Sequence, residues 1–217
     1  FEYGRPDPES FFPFSYRIKP PFQQSQHVTL KGELKWAISK QHQVDFTLSF
    51  QENLRQEFEN RKKDQWSWIP VQDLILKFDV LWHAKWRLWN MSTEAGLSNT
   101  YQTNFNYPGT KQPAFVPNFA ALSMGGFFLH KAQFGKLQCA LGARYDFRVM
   151  SVNGYTSLSN YTYYDDFKLY SNFTASLAGH YQFNEQWDVR ANVGWSWRPP
   201  DINELYAIGL QDGSYWV

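Results

Sequence analysis

The sequence predicts an all-β chain of antiparallel strands of the membrane-barrel type, and three observations carry that prediction. Apolar and polar residues alternate with a period of two over most of the chain. Short and long connections take turns between the predicted strands. Aromatic residues are in surplus, with 10 Trp, 13 Tyr and 19 Phe among 217 residues, beside a charged fraction of only 19% where about 25% is ordinary.

The alternation is clearest at residues 44–50, VDFTLSF, where Val44, Phe46, Leu48 and Phe50 take one face and Asp45, Thr47 and Ser49 the other, the signature of a strand. In 137–149, Leu137, Cys139, Leu141, Ala143, Tyr145, Phe147 and Val149 oppose Gln138, Arg144, Asp146 and Arg148. In 188–198, Val189, Ala191, Val193, Trp195 and Trp197 oppose Arg190, Asn192, Gly194, Ser196 and Arg198. Further strands are predicted near 28–38, 74–84, 87–98, 120–130 and 168–183, about eight in all; ALSMGGFFLH in the fifth has the weakest pattern. Tight turns are expected at 39–43, around Lys85, at 131–136 and at 184–186, and long connections at 55–73, 99–119, 150–167 and from 199 onward.

One end trimmed and the other elaborate is the asymmetry of an outer-membrane barrel, whose strands of ~10 alternating residues carry aromatic girdles at both boundaries. Trp195 and Trp197 at a long-connection end, and Trp86 and Trp89 beside a short turn, are expected at such boundaries. A soluble β-sandwich or lipocalin-like barrel has the same period with its apolar residues turned inward, so periodicity leaves both open; the regular asymmetry of the connections favours the membrane.

With 21 Lys plus Arg against 20 Asp plus Glu, net charge offers no argument for nucleic acid or an anionic surface. A single cysteine, Cys139, excludes an internal disulfide framework. No run approaches ~18 apolar residues, so a membrane-crossing helix is excluded while membrane strands are not. The opening FEYGRPDPES has neither the basic nor the apolar region of a secretory signal.

Four segments then carry a resemblance to a known family. WRPPDINELYAIG (197–209) resembles the Arg-x-Pro segment followed by Glu-Leu-Tyr of TonB-dependent outer-membrane receptors, and ENLRQEFENRK (52–62), FVPNFAALSMGGFF (115–128) and LGARYDFR (141–148) are similar to other segments of that family, in the same order. Pro199 and Pro200 remove two ladder donors in succession, so pairing is expected to stop there. The resemblance implies the bacterial outer membrane and a plugged barrel of about 22 strands. It implies import of a scarce nutrient, such as a ferric siderophore or other metal complex, powered by a TonB-type inner-membrane complex acting through the plug. The 217 residues hold no plug-like segment and no TonB box, so 1–217 is expected to be a mid-barrel part of such a receptor, with plug and remaining strands outside it. The alternatives are a small eight-stranded structural or adhesive outer-membrane barrel and a soluble β-sheet binding module.

Arg198 and Glu204 flank the proline pair and are expected to pair and structure the loop rather than touch a ligand directly. Arg144, Arg148 and Arg190 with Arg198 make a candidate basic lining, for an anionic chelate or for acidic parts of plug and loops. Tyr206, Tyr215 and Trp216, with Tyr161, Tyr163 and Tyr164, are candidates for stacking on a flat ligand. The resemblance places a histidine after such a segment in haem receptors; Gln211 and Asp212 stand there, which argues against haem. His27, His42, His83, His130 and His180 have no ligand spacing, so no metal site and no cofactor are expected. The sequons at Asn90, Asn160 and Asn172 are read as chance, since the implied bacterial setting does not glycosylate by that code. No nucleophile elbow or phosphate loop appears, so no enzyme is expected.

Overall fold

In a computed structural model, eight strands form one antiparallel sheet in which each pairs with the next along the chain. They are β1 (Phe22–Ala37), β2 (His42–Lys62), β3 (Gln65–Trp86), β4 (Met91–Asn106), β5 (Asn118–Phe134), β6 (Leu137–Thr156), β7 (Tyr163–Gln182) and β8 (Asp188–Trp195). A short helix α1 (Ile202–Tyr206) and a separate pair, β9 (Gly209–Gln211) and β10 (Ser214–Trp216), follow. The structure describes Tyr16, Ile18 and residues 22–62, 65–107, 116–156, 163–206, 209–211 and 214–216; side chains are described there except at 59–67, 89, 155–164 and 209–216. The expected positions of Trp89, Tyr161, Tyr163, Tyr164, Gln211, Asp212, Tyr215 and Trp216 lie outside the described side chains, and the opening 1–15 and the sequon at Asn160 lie outside the described residues.

All eight predicted strands are present, and the weakly patterned fifth is a 17-residue strand. Their lengths correct the sequence reading. Most of the expected connection at 55–73 is strand, because Glu57 pairs with Ile69 and Asn60 with Trp66. β4 runs on to Asn106 and β6 to Thr156, into the expected connections at 99–119 and 150–167. Alternation fades there because both faces of a strand beyond a membrane meet water, while ladder hydrogen bonds need no particular side chain. In the other direction, β4 starts at Met91 rather than 87, after a 3-10 turn at Leu88–Asn90, and β8 ends at Trp195 rather than 198.

The short connections are closed by local chemistry. Ser39 Oγ accepts from the backbone N–H groups of Gln41 and His42, both at 3.1 Å, and Asn184 Oδ1 accepts from Gln186 and Trp187 at 2.9 and 2.8 Å. Between β5 and β6, Gly135 takes φ +59° at the first of two loop positions, where a glycine is preferred.

The register sorts the side chains onto two unlike faces. One face carries rungs such as Leu34, Phe46, Val80, Leu97, Gly126, Tyr145 and Phe173, and Leu30, Phe50, Leu76, Tyr101, Leu122, Val149 and Leu169. Leu48, Leu97, Leu141 and Val193 on this face are 53%, 58%, 51% and 69% exposed, so the apolar side chains do not converge on a dry centre. Among the described side chains the only charged ones on the strands of this face are Glu52 and Asp165, both toward the long connections. From His42 to Glu52 the uncharged band runs ten residues along β2, ~33 Å of strand, which at a tilt of ~40° stands ~25 Å tall, the height of the apolar band of a membrane barrel.

The opposite face carries charge in rungs of alternating sign. Lys31, Ser49, Lys77, Thr100, Ser123 and Arg148 form one; Glu33, Thr47, Asp79, Ser98, Gly125 and Asp146 form the next. Lys31 bridges Glu33, and Lys77 lies 3.0 Å from Asp79. Glycine keeps this face passable where bulky groups cross it. A Cβ on Gly96 would lie 2.6 Å from the Val80 carbonyl and 2.8 Å from the Phe127 ring, so that ring lies flat on the backbone of β4. Among the described residues β8 does not return to β1; the sheet is open, unlike the closed eight-stranded barrel held as an alternative.

Candidate functional site

The charged face is covered at its long-connection end by the segment after β8. At Trp195 pairing with β7 stops opposite Ala175, and the proline pair Pro199–Pro200 follows after three residues. Missing donors and fixed φ values turn the chain off the sheet. Asp201 then opens α1: its carbonyl accepts from Glu204 N–H at 3.1 Å while Glu204 Oε2 accepts from Asp201 N–H at 2.8 Å. The Glu204 side chain thus makes one half of a capping box, legible in the sequence as Asp-x-x-Glu at 201–204, while the Asp201 side chain accepts from the Ile202 N–H at 2.8 Å.

Glu204 is also the partner of Arg198. The guanidinium Nη1 and Nη2 reach Glu204 Oε2 and Oε1 at 2.9 and 2.5 Å, a bidentate geometry that folds the proline pair into a closed loop. The guanidinium first, then the Asp201 amide, hold the Glu204 carboxyl down at about 2. Arg198 is raised in turn, chiefly by its hydrogen bond to Glu204.

The helix is seated by apolar contact. Ile202 and Tyr206 bury against Phe119 and Ala121 of β5 and Met150 and Val152 of β6, with Val116 packed alongside; Met150 and Val152 are 0% exposed. These four strand residues belong to the charged face, where they interrupt the polar pattern. Tyr206 Oη donates to Asp166 Oδ2 at 2.5 Å, which ties α1 to β7, and Lys168 approaches the same carboxylate at 2.9 Å. Arg148 reaches under the helix, with Nη2 3.9 Å from Asp201, and its buried Nε has no hydrogen-bond partner among the described residues.

The structure therefore gathers Arg148, Arg198, Pro199, Pro200, Glu204 and Tyr206 around α1. Arg144 lies lower on the wall, pairing with Asp146 at 2.6 Å, donating to Ser98 Oγ at 3.0 Å and stacked 5.9 Å over the Phe127 ring. Arg190 is not part of this group. It faces His180 on β7, while Arg148 faces Tyr170, about ten residues and ~33 Å away along the strand, and it binds Asp188 beside a short turn. The candidate basic lining is thus divided into separate sites, each arginine with a carboxylate neighbour. Trp197, expected with Trp195 at the membrane boundary, has its ring 6.3 Å from that of Tyr170 on the charged face instead, because alternation ends with β8. The sequence reading missed the apolar seat of α1; its signal was Met150 and Val152 following directly on the strict alternation of β6.

The pH dependence of this loop follows from Glu204. Its carboxyl is depressed in the folded loop, so its contribution to loop order is complete above the ordinary value near 4.5 and is lost only as pH falls through about 2. A fluorophore on Asn203→Cys is expected to keep its high anisotropy from neutral pH to about 4.5 and to be released toward pH 2. With Glu204→Gln added, the anisotropy at neutral pH falls in part and the step toward pH 2 disappears; an unchanged step in that variant contradicts the assignment.

A family model described as "TonB dependent receptor-like, beta-barrel" matches residues 3–216. The chain belongs to that family. Among solved structures, this TonB-dependent receptor-like chain is similar to the ferric citrate transporter FecA in its unliganded form, at 11% sequence identity and a TM-score of 0.57, over 78% of this chain and 27% of that one. At that identity the likeness is one of fold, and the chain spans little more than a quarter of the length of the transporter. None of the curated proteins matches it in sequence.

Proposed function

We propose that the chain is a segment of the wall and long-loop apparatus of a TonB-dependent importer in the bacterial outer membrane. Its cargo is a scarce nutrient carried as a ferric siderophore or other metal complex. The reading rests on one observation above the rest: a family match across 3–216 falls on a sheet whose outward face is an uncharged band of membrane height. The family is one of outer-membrane barrels. Among the described residues the outer edges of β1 and β8 are unpaired and would expose rows of N–H and C=O groups that hydrocarbon does not tolerate, which supports closure by further strands of a larger barrel; a plug domain in its lumen contacting the inner-membrane TonB complex belongs to the same reading. Ferric citrate is the substrate of the structural neighbour; for this chain it supports the class, an anionic metal chelate meeting arginines and the Tyr206 loop, rather than a particular compound. The role is carriage rather than catalysis.

Two measurements test it. Cysteines at Leu48 and Val193 are expected to react poorly with water-borne thiol reagents in intact outer membranes, and those at Thr47 and Asn192 to react well. Equal labelling removes the membrane reading. Cells lacking the gene are expected to lose energised uptake of a ferric chelate that parent cells import only while their proton gradient stands; uptake of every chelate unaltered by the deletion removes the importer.

A further inference from the structure

The outward face bears a hydrogen-bonded polar cluster at the short-turn boundary of its uncharged band. His42, Ala84, Thr93 and His130 share a rung there across β2 to β5. Trp86 covers its middle: its indole N–H donates to Thr93 Oγ1 at 2.9 Å, and Thr93 Oγ1 lies 2.9 Å from His130 Nδ1. An indole nitrogen only donates, so the Thr93 hydroxyl accepts from Trp86 and links it to the imidazole of His130. The His130 ring stacks on Phe128 at 6.0 Å and 3°, with Nε2 as its remaining ring nitrogen. His42 is stacked on Trp82 at 5.8 Å and edge-on to Trp86 at 5.5 Å. Exposed Lys40 and Arg87 stand in the two adjoining turns, and no carboxylate shares the rung.

Immediately toward the middle of the band the same face is hollowed. A groove of about 560 Å³ is lined by Val80, Trp82, Ala95, Leu97, Gly126 and Phe128, with Ala95 and Gly126 as floor where neighbouring rungs carry large side chains. A shallow, mostly apolar depression on the face read as lipid-facing, beside an imidazole and two turns with exposed cations, matches one amphiphile: acyl chain above, anionic head below. We propose that this surface is a specific seat for a phospholipid of the leaflet on the short-turn side. The chain lies in the Ala95–Gly126 groove and the phosphate meets the His130 imidazole, on the side of the turn that carries Arg87.

The inference rests on the membrane reading above. The test uses the intact protein, extracted from its host membrane in mild detergent and analysed by native mass spectrometry. The unchanged protein is expected to retain one phospholipid. Gly126→Leu, which fills the groove, and the pair Thr93→Val with His130→Phe, which removes the donors, each lower that occupancy about tenfold. Gly126 has only the Leu97 Cδ2 at 3.4 Å from an added Cβ, so the fold tolerates that change, checked by heat-modifiable migration in gels. Supplied in excess, phosphatidylglycerol restores occupancy and diacylglycerol, which lacks the phosphate, does not. Equal retention in all three proteins, or equal binding of diacylglycerol, overturns the seat. If the cysteines at Leu48 and Thr47 label as expected while retention is equal, this inference alone falls; if they label alike, the membrane reading falls with it.

Discussion

Leu48→Arg is expected to block assembly into the membrane, while Thr47→Arg, one residue away, assembles as the unchanged protein does. Leu48 lies near mid-height of the uncharged band, in the rung Gly32, Leu48, Phe78, Asn99 and Met124. An arginine facing lipid at that depth costs about 2–4 kcal/mol, a large part of the stability of a typical domain. Thr47 projects to the opposite face between Glu33 and Asp79, two carboxylates that receive a guanidinium directly. The measurement is the fraction reaching the heat-modifiable folded form in vesicles, with the urea midpoint of each variant. Because the two positions share a strand, propensity and tilt, only the direction of the side chain differs. Equal tolerance of both substitutions would mean that the apolar face is not the lipid face.

The same contrast explains what was legible beforehand. In β2, β6 and β8 the alternation was strict because a strand with lipid on one side and water on the other must separate its residues completely, and those strands were placed correctly in order. Beyond the band, as from Arg55 to Phe58, the chain still pairs with β3 but the pattern carries no instruction, so strand was read as connection from 55 onward. β5 was the weakest because Gly125 and Gly126 interrupt its composition. The structure gives Gly125 a reason: a Cβ there would lie 2.3 Å from Asp146 Oδ1 and 2.4 Å from Arg144 Nη2, so the ion pair crosses β5 over bare backbone. The pairing of Arg198 with Glu204 was anticipated from opposite charges beside two prolines. The seat of α1 was not, since Phe119, Ala121, Met150 and Val152 are distant from it in sequence and read as lapses in a polar face. Such lapses are informative: apolar residues on the watery side of a barrel strand mark where something docks.

Met150→Ala is expected to release α1 from the wall without unfolding the sheet. Met150 has 0% exposure and lies among Phe119, Val152, Ile202 and Tyr206. Truncating a buried Met to Ala costs about 2–5 kcal/mol, part transfer and part cavity. The cavity opens between β6 and a helix of five residues, which has no stability of its own at that length, so the loss falls on docking rather than on the ladders. The fluorophore at Asn203→Cys is expected to lose anisotropy and thermolysin to cut near Ile202 and Leu205, while the heat-modifiable shift of the barrel stays in place. Tyr206→Phe keeps the ring in the apolar seat and loses the hydrogen bond to Asp166, about 0.5–1.5 kcal/mol for an ordinary hydrogen bond and about 1.5–3 kcal/mol for one to a charged group, so its loop is expected to loosen less. The order Met150→Ala above Tyr206→Phe is the discriminating result, because hydrogen bonding as the main tether predicts the reverse. A helix held chiefly by apolar contact leaves Glu204 and Arg198 to set the shape of the loop and Met150 to set where it rests, so Met150→Ala is expected to loosen it more than loss of the ion pair does.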